Sequence, residues 1–160
     1  MARGASAYDA VIAAPFGRLG IRTRGARLID VDFVSPRAPL RPPRDTFARR
    51  VCRELCAYFA DPRHPLRLPL ALTGTVHQRR VWRALARIPA GEVRSYGEIA
   101  RRLRSSPRAV GGACRANPVP IVVPCHRVIA GAGVGGFMGR RSGPALAIKR
   151  WLLAHERREQ

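Results

Sequence analysis

The segment Pro124-Cys125-His126-Arg127-Val128 holds the densest chemistry in the chain. A cysteine attacks as the thiolate, and a free thiol with a pKa of about 8.5 is ionised to a few per cent at neutral pH. A neighbouring imidazole can accept the proton, directly or through a water. Adjacent side chains on an extended strand point to opposite faces, so direct contact between Cys125 and His126 requires a local bend, or else a bridging water. A histidine base gains from a carboxylate that fixes its tautomer. Only 10 acidic residues are available. Glu156 is the candidate, because Lys149, Leu152, Leu153 and Glu156 share one face of a helix predicted from Ala145 to about Arg157. Residue type alone leaves two readings open: a nucleophile with its base, or a buried structural cysteine beside a surface histidine.

The elements that must position this segment lie on either side of it. Ile121-Val122-Val123, bounded by Pro120 and Pro124, reads as a short buried strand that delivers Cys125. Further upstream, Val81, Trp82, Leu85 and Ile88 form a helical stripe over Val76 to Ile88, which Pro89-Ala90-Gly91-Glu92 stops. Ser95 with Glu98 predicts a capping box at the head of a helix over Tyr96 to Leu103. Ser106 caps the next helix, with Pro107 at its first position and an end near Ala116, before Asn117-Pro118. Two short helices joined by a tight turn resemble a helix-turn-helix. The second carries Ala109, Gly111, Gly112 and Ala113 between Arg108 and Arg115. Such a face allows close approach, either of another helix of the protein or of DNA.

The first third reads as strands and turns. Val11-Ile12-Ala13-Ala14 is short and apolar, Pro15-Phe16-Gly17 is a turn leading into an alternating stretch, and residues 28–34 alternate with a period near two. Pro36, Pro39, Pro42 and Pro43 make residues 35–45 a loop. An amphipathic helix follows over residues 47–59, then a proline-punctuated connector over 64–70. The expected boundary gives an N-terminal α/β domain over residues 1–72 and a mainly helical C-terminal domain over 73–160. Cys52 and Cys56, with His64 and His77, suggest a zinc site in principle, but their spacing matches no common finger. The simpler reading is two small apolar residues on a buried helical face, and Cys114 likewise reads as packing. No metal is expected.

The 160 residues suffice for one core or two small domains. Thirty basic residues against ten acidic ones give a net charge of +20 and a field that attracts polyanions. A GC-rich genome also writes arginine freely, and Lys149 is the only lysine. The two explanations are compatible, so charge raises the case for nucleic acid without deciding it. No apolar run approaches the roughly 20 residues of a membrane helix. The start Met1-Ala2-Arg3-Gly4-Ala5 lacks the apolar stretch of a secretory signal, and four cysteines at this length do not suggest a disulfide scaffold. A soluble protein of the cytoplasm or nucleoid is expected, or of the nucleus in a eukaryote.

The stretch Asn117-Pro118-Val119-Pro120-Ile121-Val122-Val123-Pro124-Cys125-His126-Arg127-Val128-Ile129 resembles the active-site signature of the methylated-DNA–protein-cysteine methyltransferases, the O6-alkylguanine-DNA alkyltransferases. Gly74-Thr75 to Gln78, Val81-Trp82, Ile88 to Glu92, Ser95 to Ala100, Pro107 to Gly111 and Trp151 to Glu156 follow in that family's order. Pro15-Phe16-Gly17 and Tyr58-Phe59 fit its more variable N-terminal domain. The likeness runs over residues 8–157 and is most specific from 74 onward.

The resemblance implies a ribonuclease-H-like N-terminal domain and a winged-helix-like C-terminal one with the helix-turn-helix. It implies that Cys125 takes the alkyl group from O6 of guanine and keeps it as a thioether, so each molecule acts once. Glu156, His126 and a water would form the relay to the thiol, and Asn117 would order the turn before the active-site segment. Tyr96 would donate in the guanine pocket and help protonate the leaving base at N3. The backbone at Cys125 and Val128 would accept from the guanine amino group, with Phe137, Met138 and Gly139 in the substrate loop. Arg108 would enter the duplex where the flipped nucleotide leaves, with Ser95, Ala109 and Arg115 also at the DNA. The implied partner is duplex DNA carrying O6-alkylguanine, bound by a monomer without a cofactor and away from membranes.

The chain departs from the pattern at four places, one of them a short stretch between Tyr96 and Arg108, although a Ser-Ser-Pro-Arg version occurs among family members. His77 stands where the family usually has an aromatic such as Phe, Met138 is bulkier than the small residue expected, and Arg140-Arg141-Ser142-Gly143-Pro144 lengthens the connection to the last helix. Other functions compete less well. A non-catalytic alkyltransferase-like lesion binder would replace the cysteine, commonly with tryptophan. A cysteine hydrolase lacks an identifiable oxyanion hole, and a helix-turn-helix regulator leaves the Cys125 segment without a role.

Overall fold

The structure, a computed structural model, describes residues 7–157; the Met1–Ala5 start and the residues after 157 lie outside the described part. The chain forms two compact units, Met1–Leu72 and Thr73–Gln160, of mixed α/β composition.

In the first unit β1 (Ala10–Ala14), β2 (Gly17–Arg24) and β3 (Arg27–Val34) form an antiparallel meander in that order. The Pro15-Phe16 turn fixes the β1–β2 register, with Ala14 opposite Gly17 and Ala10 opposite Ile21. Leu19, Ile21, Leu28 and Val31 are buried. α1 (Thr46–Ala60) packs against β1 and β2, and its buried stripe is Ala48, Val51, Cys52, Leu55 and Tyr58. Asp45 caps α1 by accepting from the Ala48 N–H at 2.8 Å. The proline-rich loop returns to the sheet edge at Arg41, opposite Val11, and the connector joins it at Leu70, opposite Leu28.

The paired-cysteine reading of α1 needs correction. Cys52 is buried, and Cys56 is exposed. Four residues at 3.6 per turn rotate Cys56 some 40° beyond Cys52, off the edge of the apolar stripe. His64 pairs instead with Glu54, and His77 meets the Ser105 hydroxyl at 2.8 Å. Among the described residues no group of three or more His, Cys, Asp or Glu could hold a metal ion.

The second unit contains α2 (Val76–Ala86), α3 (Tyr96–Leu103), α4 (Pro107–Arg115) and α5 (Pro144–Arg157). Capping boxes open α2 at Thr75/Gln78 and α3 at Ser95/Glu98, and Ser106 caps α4 with Pro107 at its start. The stripe Val81, Trp82, Leu85 and Ile88 is buried. The Trp82 indole donates to Ala113 O at 2.9 Å, tying α2 to α4. The α3–α4 turn passes through Arg104 in the left-handed region, at φ 54°.

Ile121-Val122-Val123 is not a strand. It is a turn, with Ile121 at φ 76°, Val123 N–H bonded to Val119 O at 2.9 Å, and Pro120 bridged to Val123. Pro118, Pro120 and Pro124 carry no N–H, so no ladder can run through them. Cys125 therefore opens a single 3₁₀ turn, Cys125–Arg127, which supplies the bend between Cys125 and His126. A short parallel pair, unforeseen in the sequence, follows: β4 (Arg94–Ser95) beside β5 (Val128–Ile129). Among the described residues no helix is long and apolar enough to cross a membrane.

Candidate active site

Cys125 is 4% exposed at a cleft of about 980 Å³. Tyr96 of α3, Arg108 and Arg115 of α4, and Phe137, Met138 and Gly139 of the following loop line the same cleft. Asn117, His126 and Glu156 are buried near Cys125 in sequence or through bonding, but they are not in its walls, and neither is Val128. Ala109 is exposed on α4, while Ser95 spends its hydroxyl accepting from the Glu98 N–H at 3.0 Å; both also lie outside the cleft lining.

Two hydrogen bonds of Asn117 hold the turn before Cys125. Its Nδ2 donates to Val123 O at 2.8 Å, and its Oδ1 accepts from the Val119 N–H at 3.0 Å. An amide with a donor and an acceptor replaces the ladder that the prolines forbid.

The 3₁₀ turn and α5 bring His126 and Glu156 together. His126 Nε2 meets Glu156 Oε1 at 2.7 Å, with both side chains essentially without solvent. Arg127 completes the cluster: its Nε donates to Glu156 Oε2 at 3.0 Å and its Nη2 to Oε1 at 2.8 Å. Its Nη1 reaches Ile88 O, just beyond α2, at 2.5 Å. Although burial opposes the charge, the His126 and Arg127 hydrogen bonds hold the Glu156 carboxyl well below the usual carboxylate range. An ionised Glu156 must accept, so His126 carries its proton on Nε2. Nδ1 is then the basic nitrogen; it is buried with no hydrogen-bond partner among the described residues. Burial lowers the His126 pKa, so the imidazole is neutral at rest.

Burial also pushes the Cys125 thiol up to about 11, with Asn117 and the Lys149 charge pulling it back. At rest Cys125 is thus a thiol and His126 a neutral imidazole. Lys149 is fully buried, and its Nζ donates to Val128 O at 2.7 Å and Gly136 O at 2.9 Å. It lies 5.9 Å from the centre of the Tyr96 ring. Burial lowers its pKa to about 8, and the ionisable groups that act against this are Cys125 and Cys114. Tyr96 is raised to about 12, mainly by burial, so its hydroxyl keeps its proton as a donor. The two carbonyls expected to receive a guanine amino group are each engaged once, Val128 O by Lys149 and Cys125 O by the Val128 N–H. A carbonyl has two lone pairs, so each retains one.

Arg127, the lysine contacts and Cys114 in the cleft lining were missed in the sequence. One signal was available for Arg127. A carboxylate buried beside a histidine needs a cation to offset its desolvation, and Arg127 follows that histidine directly.

Residues 76–158 match the family model of the 6-O-methylguanine DNA methyltransferase DNA-binding domain. The methylated-DNA–protein-cysteine methyltransferase of Methanosarcina acetivorans is 40% identical over 156 residues, 93% of this chain and 97% of that protein. The Mycolicibacterium paratuberculosis protein of the same name is 44% identical over 135 residues, 82% of this chain and 78% of its own. The crystal structure of Mycobacterium tuberculosis O6-methylguanine methyltransferase superposes with a TM-score of 0.78 at 37% identity, covering 92% of this chain and 90% of that one. The same protein crystallised in complex with DNA gives 0.77 at 37% identity, covering 92% and 91%. Fold and site thus define a DNA-binding transferase with a cysteine acceptor. More particularly, the chain belongs to the methylated-DNA–protein-cysteine methyltransferase family.

Proposed function

We propose that this protein repairs duplex DNA by moving an alkyl group from O6 of guanine onto Cys125, once per molecule. The observation that carries the reading is the thiol at the cleft, followed in the same 3₁₀ turn by a histidine held by Glu156. Cys125 Sγ attacks the alkyl carbon in line. The S–C bond forms as the C–O6 bond breaks, and its electron pair stays with the guanine. The thiol proton passes through a water to His126 Nδ1; Tyr96 delivers its proton to N3 as the base leaves and is reprotonated from solvent, while the His126 imidazolium releases its proton to solvent, so the step balances without a cofactor. The product is a neutral thioether, which has no route back to the thiol.

A base within the stack hides its O6 substituent, so the nucleotide must leave the duplex at a cost of about a few kcal/mol. Arg108, at the first turn of α4 and exposed, fills the space with a flat guanidinium. A Cβ added at Gly111 or Gly112 would meet nothing within 4 Å, so these glycines do not serve packing inside the protein. They leave α4 low enough for the minor groove, where little sequence is read. In this reading residues 1–72 are a ribonuclease-H-like α/β domain. Residues 73–160 are the DNA-binding and alkyl-transfer domain, with α3 and α4 as a winged-helix-like helix-turn-helix. The protein acts as a monomer.

The test is to mix the protein with duplex carrying O6-methylguanine and weigh it intact. Stoichiometric gain of one methyl group, absent in Cys125→Ala, is expected. Tight binding without a change of mass would instead mark a lesion binder.

A further inference from the structure

Five arginines line the cleft, Arg108, Arg115, Arg140, Arg141 and Arg150, and no carboxylate does. All five are exposed, and among the described residues none makes a side-chain hydrogen bond or ion pair. Arg108 and Arg115 belong to α4. The other three come from the loop after the active site and from α5, and the base-opening role of Arg108 leaves them without a task.

The loop that carries Arg140 and Arg141 is built, not loose. Phe137 N–H bonds to Arg140 O at 2.8 Å, and Arg140 N–H to Phe137 O at 2.9 Å. Between them Met138 and Gly139 have φ of 51° and 79°. This is a two-residue turn with both central residues left-handed, the type I′ geometry. Phe137 anchors it, 4% exposed. A Cβ on Gly139 would come within 3.2 Å of Arg115 Nε, so the glycine also makes room for the Arg115 side chain. The turn therefore holds the backbone of Arg140 at the cleft and sets Gly139 against Arg115.

We propose that Arg140, Arg141 and Arg150 form an oxyanion-binding rim that holds a backbone phosphate of the lesion-bearing strand while the base occupies the cleft. The inference rests on the cleft being the pocket for an alkylated base. Unpaired guanidinium groups gathered at one mouth repel one another unless an anion joins them, and their planar forks match phosphate oxygens. A carboxylate at the end of an alkyl group is the other source of an oxyanion. It would sit next to the buried sulfur, whereas these arginines are exposed, which favours the phosphodiester.

Single phosphates flanking O6-methylguanine can be replaced by neutral methylphosphonates and the rate of methyl transfer read by intact mass at sub-saturating DNA. For the unmodified chain, neutralising one or two positions should slow transfer. Arg140→Gln/Arg141→Gln should be about tenfold slower on the all-phosphate duplex, the order expected for removing one or two charge-assisted hydrogen bonds. It should lose nothing further at those same positions. A double variant as sensitive as the unmodified chain at every position would overturn the rim. In a salt titration of duplex binding the double variant should have a shallower slope, by roughly 0.9 for each phosphate it no longer neutralises. Arg49→Gln/Arg53→Gln, two exposed positions on α1, should leave that slope alone. An equal change there would reduce the effect to net charge and overturn the proposal. Free O6-carboxymethylguanine and O6-benzylguanine bases form the last arm. A defect of the double variant confined to the carboxymethyl base would assign the oxyanion to the adduct and overturn the phosphate. If the unmodified chain gains no methyl from the all-phosphate duplex, alkyl transfer fails as a reading, while the salt slope still reports on the rim.

Discussion

His126 and Glu156, 30 residues apart in sequence, share a 2.7 Å contact that solvent does not reach. Arg127 holds the same carboxylate from a second direction. Glu156→Gln should slow alkylation of Cys125 by free O6-benzylguanine by ~10²-fold, the lower range for a disabled general base. It should also destabilise the fold by about 3–5 kcal/mol, because Arg127 loses its counter-charge. Single-turnover rates and thermal melts measure the two effects separately. An unchanged rate would remove Glu156 from the relay.

Asn117→Ala leaves the Val119 N–H and the Val123 carbonyl without the partners that the amide provides. Two buried groups so treated cost about 2–6 kcal/mol. Denaturant unfolding should show that loss. Stability within about 0.5 kcal/mol of the unmodified chain would mean that the prolines alone set the turn.

Arg108→Ala should slow repair of duplex at least about tenfold more than reaction with free O6-benzylguanine, since only the duplex has a gap to fill. Equal slowing of both substrates would sink the base-opening role.

Lys149 makes a prediction in pH. Its pKa is about 8 in the fold, against about 10.4 in an unfolded chain. Between these values the unfolded chain binds the proton that the native state has released, so this group adds stability as pH rises, by roughly 3 kcal/mol in all. Cys125 and Cys114, raised by burial to about 11 and about 12, act the other way, because the unfolded thiols ionise first. The unmodified chain should therefore lose stability above pH 8 less steeply than Lys149→Met. Parallel unfolding curves across that range would mean that the buried amine keeps its proton throughout it, as an exposed lysine does.

Much of this architecture could be read from local chemistry. Ser95 with Glu98, and Ser106 with Pro107, announce helix starts that depend on a few neighbouring atoms, and both are as expected. The buried face of α5, from Lys149 to Glu156, follows from helical periodicity alone. The Ile121–Val123 segment failed because its apolar, β-branched residues suggest a strand while its flanking prolines forbid the ladder. Cys56 failed by a 40° rotation at the edge of a stripe. At the site, Cys125 and His126 are chain neighbours and thus visible. The grip of Arg127 on Glu156 and Ile88, and that of Lys149 on Val128 and Gly136, join distant segments, so no spacing rule reveals them.

Arg127 also links the chemistry to inheritance. One guanidinium joins Ile88, just beyond α2, to the carboxylate on α5 that bonds the histidine. On the proposed relay, damage to this knot should lower reactivity and stability together. A substitution that breaks this knot, at about 3–5 kcal/mol, takes a large share of a typical domain's stability, so a lineage carrying it should hold less folded protein on its DNA to shield lesions from other repair. A sound but silent descendant is more easily reached at Cys125 itself, a side chain that can be exchanged while the Glu156 knot stays whole.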